Sequence, residues 1–173
     1  METKRSVSEA DFQRVLTPEN IRIFQVIFAA IGSGVLLFAV VVIFLGMMST
    51  AEAAAADLSL VRTLTFVHVL LLLMVIPAGR LLYARMLAQD GPPITANQCM
   101  TRIRTAEIVR LALLEGVALL GLVVCLIGGL NGVLAAHPLY WLNIISSIVL
   151  LAFVSQNLPN ADRLNQTFRA HFG

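Results

Sequence analysis

The sequence predicts an all-α integral membrane protein, a four-helix bundle built as a tandem repeat of two hairpins with both termini cytoplasmic. Three observations carry this. The 173-residue chain is 58% hydrophobic and only 13% charged, where a soluble domain carries about 25% charged residues. The apolar residues run in four blocks, about 21–48, 61–84, 105–130 and 138–158, and do not recur on one helical face. Each block suits a span of roughly 20 residues, and only helices or closed barrels satisfy their backbone in lipid. The runs are too long and too evenly apolar for barrel strands. Finally, the basic residues are one-sided. Lys4, Arg5, Arg14 and Arg22 precede the first span. Arg80, Arg85, Arg102, Arg104 and Arg110 surround the connection between the second and third, and Arg163 and Arg169 follow the fourth. Only Arg62 falls on the opposite side. Basic residues mark cytoplasmic segments, so the net charge of +2 sets topology and does not point to nucleic acid.

The expected parts are a cytoplasmic N-terminal segment (1–20), a first transmembrane hairpin (21–84), a cytoplasmic connection (85–104), a second hairpin (105–158) and a cytoplasmic tail (159–173). In the first part, Ser6-Val7-Ser8-Glu9 reads as a capping box, so residues 1–20 form either a short interfacial helix or an unstructured tail. Thr17-Pro18-Glu19 starts a helix, with Thr17 as cap, Pro18 in the first turn and Glu19 at the positive end of the dipole. No cleavable leader is evident, because about twenty polar residues precede the first apolar run.

In the first span, Ala30 and Gly34 are four apart, as are Ala29 and Ser33, with Gln25 on the same side. Small residues at this spacing let helices approach closely. Residues 49–60 form a short outer connection. The second span carries His68 near its outer end, and Pro77 and Gly79 are expected to end or kink it near the inner face. An imidazole there can carry a proton or ligate haem, but His137 lies at the mouth of the outer loop and His171 in the tail. With no second buried histidine at that depth, no cofactor is expected and His68 is read as a hydrogen-bonded packing residue. Gly91-Pro92-Pro93 stops helix in the connection. Cys99 and Cys125 belong to different levels, so neither a disulfide nor a thiolate metal site is expected.

The third span, Arg104 to Gly129, carries Glu115 in its hydrophobic half. A charged residue at a helix centre costs on the order of 2.5–3.5 kcal/mol on insertion scales, which makes such a residue a candidate site. Ala112 and Gly116 leave room beside it. Its possible polar partners are Thr65, His68, Ser146, Ser147 and Arg110, although Arg110 is five residues away and Glu107 is the better helical neighbour for that arginine. Two roles stay open: a structural ion pair, or a site that holds a proton because hydrocarbon raises a carboxyl pKa. Gly128 to Gly132 reads as a turn. Pro138 begins the fourth span, Tyr140 and Trp141 sit at the interfacial belt, and Asn143, Ser146 and Ser147 give it a polar edge.

Sliding the chain by 82 residues aligns the first and third spans with nine identities in 26 positions. Ile21-Arg22 falls on Ile103-Arg104, Ala30 on Ala112, Gly34-Val35 on Gly116-Val117, Leu37 on Leu119, Val41-Val42 on Val123-Val124, and Gly46 on Gly128. Ser33 takes the place of Glu115. This points to duplication of a two-helix hairpin.

The order Arg104-Thr105, Glu115, then Gly121-Leu122-Val123-Val124 resembles the ion-carrying helix of the rotary ATPase proteolipid, the c subunit, over residues 104–124. The run Ala112-Leu113-Leu114-Glu115-Gly116 also resembles small uncharacterised four-span bacterial membrane proteins that are themselves proteolipid-like. These resemblances imply a bacterial inner-membrane protein, oligomeric, with Glu115 as a proton-binding carboxylate. The small size and small-residue faces allow a second expectation, an accessory subunit of a larger respiratory or photosynthetic complex. The expected partners are the lipid bilayer and other membrane chains or further copies. No nucleotide loop, nucleophile triad, metal-ligand cluster or redox cysteine pair is present, so no enzymatic activity is expected.

Overall fold

The structure, a computed structural model, describes residues 7–48, 58–88 and 95–172. Every element there is helical: α1 (Glu9–Val15), α2 (Pro18–Met47), α3 (Leu58–Ala88), α4 (Ala96–Leu130), α5 (Val133–Ala136), a 3-10 segment (Pro138–Ile144), α6 (Ile145–Gln156) and α7 (Ala161–His171). Four helices are long and apolar enough to cross a membrane: α2, α3, α4 and the unit Pro138–Gln156. At 30 to 35 residues, the first three exceed the roughly 20 that a bilayer core requires and extend beyond it. Their outward faces are apolar. Phe66 and Leu73 of α3 are 69% and 66% exposed, which suits lipid as solvent.

The helix starts follow local chemistry. Thr17 accepts a hydrogen bond from the Asn20 amide at 3.3 Å, with Pro18 in the first turn. The capping expected at Ser6 is made by Ser8 instead, whose hydroxyl accepts from the Asp11 amide at 3.1 Å. Ser6 itself lies outside the described residues, as do Lys4, Arg5, most of the outer connection 49–60, and Gly91-Pro92-Pro93. The inner connection is shorter than 85–104, since α3 continues to Ala88 and α4 begins at Ala96. A reciprocal Thr95/Gln98 capping box fixes that start, each side chain accepting from the other's amide at 3.3 Å. Pro77 does not end its helix; it lies inside α3.

The core is organised on α4, which packs against α2, α3, the 3-10 segment and α6. The expected hairpins are therefore unlike: α4 and α6 pack on each other, whereas α3 packs on α4 and scarcely touches α2. Close approach depends on glycines. Gly128 and Gly129 are helical and not a turn; a Cβ on Gly129 would sit 3.1 Å from the Gly46 Cα, so the two backbones cross there. The turn falls at Asn131-Gly132, where Gly132 has φ 69°, a conformation in which a Cβ is strained.

The end that holds both termini is closed by a collar. In α1, Phe12 is fully buried and stacks on Phe168 of α7, centroids 4.3 Å apart. Cys99, Met100 and Ile103 of α4 are buried in the same cluster. Glu9 pairs with Arg169, whose Nε donates at 2.9 Å, and accepts from Asn165 at 3.1 Å. The hydrogen bonds from Arg169 and Asn165 hold the Glu9 carboxyl below its usual range. The tail 159–173 thus contains an amphipathic helix. Its sequence signal is the Asn160 cap followed by Leu164 and Phe168, four residues apart.

Candidate functional site

Two polar regions meet the apolar bundle, and they are built differently. The first lies at the end opposite the collar. His68, ten residues into α3 and so about 15 Å along its axis, is 2% exposed. Its Nδ1 is 2.8 Å from Asn143 Oδ1, and its Nε2 is 3.0 Å from Ser146 Oγ. Asn143 is itself fixed, because its amide nitrogen donates to the Tyr140 carbonyl at 2.8 Å and to Thr65 Oγ1 at 3.0 Å. A backbone carbonyl only accepts, so the Asn143 oxygen must face His68. Nδ1 therefore carries the hydrogen, and the single Ser146 hydroxyl hydrogen is shared between Nε2 at 3.0 Å and the Asn143 backbone carbonyl at 3.2 Å. Next to this group, Ser147 donates to the Ala118 carbonyl at 3.1 Å.

This arrangement has a backbone cause. A Cβ on Gly121 would lie 2.3 Å from the Asn143 carbonyl, 2.6 Å from Ser146 Oγ and 2.9 Å from His68 Nε2. Only glycine lets α4 close against the group. Pro138 opens a 3-10 turn in place of the α-helix expected there, and this winding brings the Tyr140 carbonyl onto the Asn143 side chain. Asn143 had been only one member of a polar edge in the sequence, and its central place needed the 3-10 geometry. Both ring nitrogens of His68 are engaged in hydrogen bonds within the chain.

The second region is Glu115. It is partly exposed on an outward face of α4, between the exposed Ala112 and Gly116. Among the described residues its carboxylate has no hydrogen bond or ion pair. None of the partners expected for it bonds to it: His68 meets Asn143 and Ser146, Ser146 also meets the Asn143 carbonyl, Thr65 accepts from Asn143, and Ser147 donates to the α4 backbone. Arg110 lies over the rings of Phe153 and Tyr83, its carbon 4.7 Å and 5.5 Å from their centroids. Glu107 is buried, and among the described residues it forms no ion pair with Arg110.

The small-residue stripe also points outward. Ala30 and Gly34 of α2 are exposed like Ala112 and Gly116, and a Cβ on either Gly34 or Gly116 would meet nothing within 4 Å. These residues do not pack the bundle itself. That role falls to Gly32, Gly46, Gly121, Gly128 and Gly129. Gln25, placed with the stripe, donates to the Pro159 carbonyl at 2.9 Å. Cys99 and Cys125 are buried and free on the same helix, about 39 Å apart along its axis. Among the described residues no group of three or more His, Cys, Asp or Glu is placed to hold a metal ion. No family model matches the chain, and comparison with curated proteins and with solved structures finds no match.

Proposed function

We propose that this chain is a non-catalytic integral membrane subunit that assembles with other membrane chains through the outward small-residue faces of α2 and α4, with Glu115 meeting its partner across that interface. The observation that carries the reading is the unpaired Glu115 carboxylate on a face that would otherwise meet lipid. A charge left there costs several kcal/mol, and a donor on a neighbouring chain removes that cost. Ala112 and Gly116 let a neighbouring backbone come close enough to supply one. The side carrying α1 and α7 is cytoplasmic on the positive-inside rule, and a bacterial inner membrane fits the resemblance of residues 104–124.

A duplication of the first and third spans, which we include in the proposal, fits the same reading. Across the 82-residue offset, Val35 and Val117, Val42 and Val124, and Gly46 and Gly128 are buried pairs. Ala30 and Ala112, Gly34 and Gly116, and Val41 and Val123 are exposed pairs. The two spans turn equivalent faces outward, and only one carries a carboxylate. Ser33, at the matching place, satisfies its hydroxyl on the Ala30 carbonyl at 3.1 Å.

Cross-linking in native membranes tests the assembly. Cysteine placed at Ala112 should link to a second chain through a short bismaleimide, while cysteine at the lipid-facing Leu73 should not. Equal linking at both sites counts against a specific interface. A second reading, proton binding at Glu115 in a proteolipid-like oligomer, is favoured by the same unpaired carboxylate. It predicts labelling by dicyclohexylcarbodiimide at a pH where ordinary carboxylates are ionised, and absence of labelling in folded protein sinks it.

A further inference from the structure

Beside the His68 group the wall of the bundle opens into a groove of about 800 Å3, between α3 and the segment 136–146. Its volume falls in the range of small-molecule sites, roughly 300–1,000 Å3. Most of its lining is apolar and open to the lipid side: Val69, Leu139, Leu142 and Ile145 are all exposed. Its floor is polar, with Thr65, His68, Asn143 and Ser146. No Asp, Glu, Lys or Arg lines it.

The hydrogen-bond inventory of the floor decides what it can bind. His68 and Asn143 have their side-chain groups committed to one another and to Tyr140, Ser146 and Thr65. Thr65 Oγ1 accepts from Asn143, but its own hydrogen has no acceptor among the described residues. Thr65 is partly exposed and lines the groove. The floor thus offers a hydroxyl donor and seeks an acceptor. His137 and Tyr140 also line the groove, but no carboxylate, lysine or arginine does, and its wall is otherwise apolar and exposed, so the acceptor belongs to a neutral molecule that partitions into the bilayer. The 3-10 winding of Pro138–Ile144 shapes the opposite wall.

We infer that this groove binds the carbonyl end of a neutral membrane-soluble amphiphile, whose oxygen accepts from Thr65 while its tail lies along Val69, Leu72 and Leu142. Two sources have this chemistry, an isoprenoid quinone and a neutral acylglycerol. The full-length protein in phosphatidylcholine vesicles is illuminated with a trace of one of three probes: an azidoquinone, a diazirine-tailed diacylglycerol, or a diazirine-tailed phosphatidylcholine. The quinone or the diacylglycerol should label peptides within 65–72 or 136–146, with competition by its unlabelled parent, and whichever labels identifies the source. Leu142→Trp, which fills the groove from an exposed position, should cut that labelling at least ~10-fold. Thr65→Val removes the donor to the ligand, together with the bond Thr65 accepts from Asn143, and should cut it roughly fivefold. Labelling no stronger than that by phosphatidylcholine, or unchanged in Leu142→Trp, overturns the inference.

Discussion

The His68 group and Glu115 are two polar intrusions into one apolar bundle, and they are satisfied in opposite ways. His68 is buried, and its ring nitrogens, the Asn143 amide and the Ser146 hydroxyl answer one another inside the chain. Glu115 is partly exposed, outward, and has no answering group among the described residues. Polarity in a span is therefore not by itself a sign of function. A group that closes on itself fixes helix packing, as the Gly121 contact shows, whereas a group left open faces something outside the chain.

The largest expected effect comes from breaking the closed group. Gly121→Ala forces a Cβ into the Asn143 carbonyl and the His68 ring and should destabilise the fold by about 3 kcal/mol or more, read as loss of helicity during titration with a denaturing detergent. Asn143→Leu should cost less, about 1–3 kcal/mol, since it leaves His68 Nδ1 without its acceptor and removes the amide donor to Thr65 Oγ1 and the Tyr140 carbonyl. Glu115→Gln should leave the isolated chain within about 0.5 kcal/mol of the parent in the same titration, as for other outward positions, and yet weaken assembly in the membrane. A large loss of isolated-chain stability in Glu115→Gln would erase the contrast between the regions.

The smallest effect concerns the collar. The Glu9 pKa is lowered in the fold from 4.5 by its hydrogen bond with Arg169. The carboxylate's contribution is therefore fully present above pH 4.5 and is lost as the pH falls through the lower folded value. Amide exchange in α1 should quicken in acid, by a modest factor because the pair is exposed, while exchange in α4 beside Gly121 stays unchanged. Arg169→Ala should remove the pH dependence of α1.

Much of the bundle was legible because lipid imposes a coarse constraint. Apolar runs of span length and a one-sided distribution of arginines need no tertiary knowledge, and each of the four blocks falls on one of the four apolar helices, overrunning it by at most two residues. Thr17 and Pro18 were readable as a cap because the signal is local. The 3-10 segment was not, since Pro138 suits the first turn of either helix type. The collar was obscured by the polarity of residues 161–171, where only Leu164 and Phe168 betray a buried stripe. In the sequence Gly121 only opens the Gly-Leu-Val-Val run of the proteolipid resemblance, and nothing local distinguishes it from Gly116. Their difference is tertiary: one faces three polar atoms within 3 Å and the other open space. Glu115 stood out in the sequence by cost alone, and cost cannot say that its neighbours in the span are already committed to each other.

The most direct test of the central claim is native mass spectrometry of the protein extracted gently from its own membrane, for the parent chain and for Glu115→Gln. Assembly through Glu115 predicts that the parent leaves the membrane bound to other chains, whether copies of itself or unrelated subunits, and that Glu115→Gln shifts it toward the lone chain. A parent protein that emerges as a stable monomer, or an assembly that Glu115→Gln does not weaken, would contradict it.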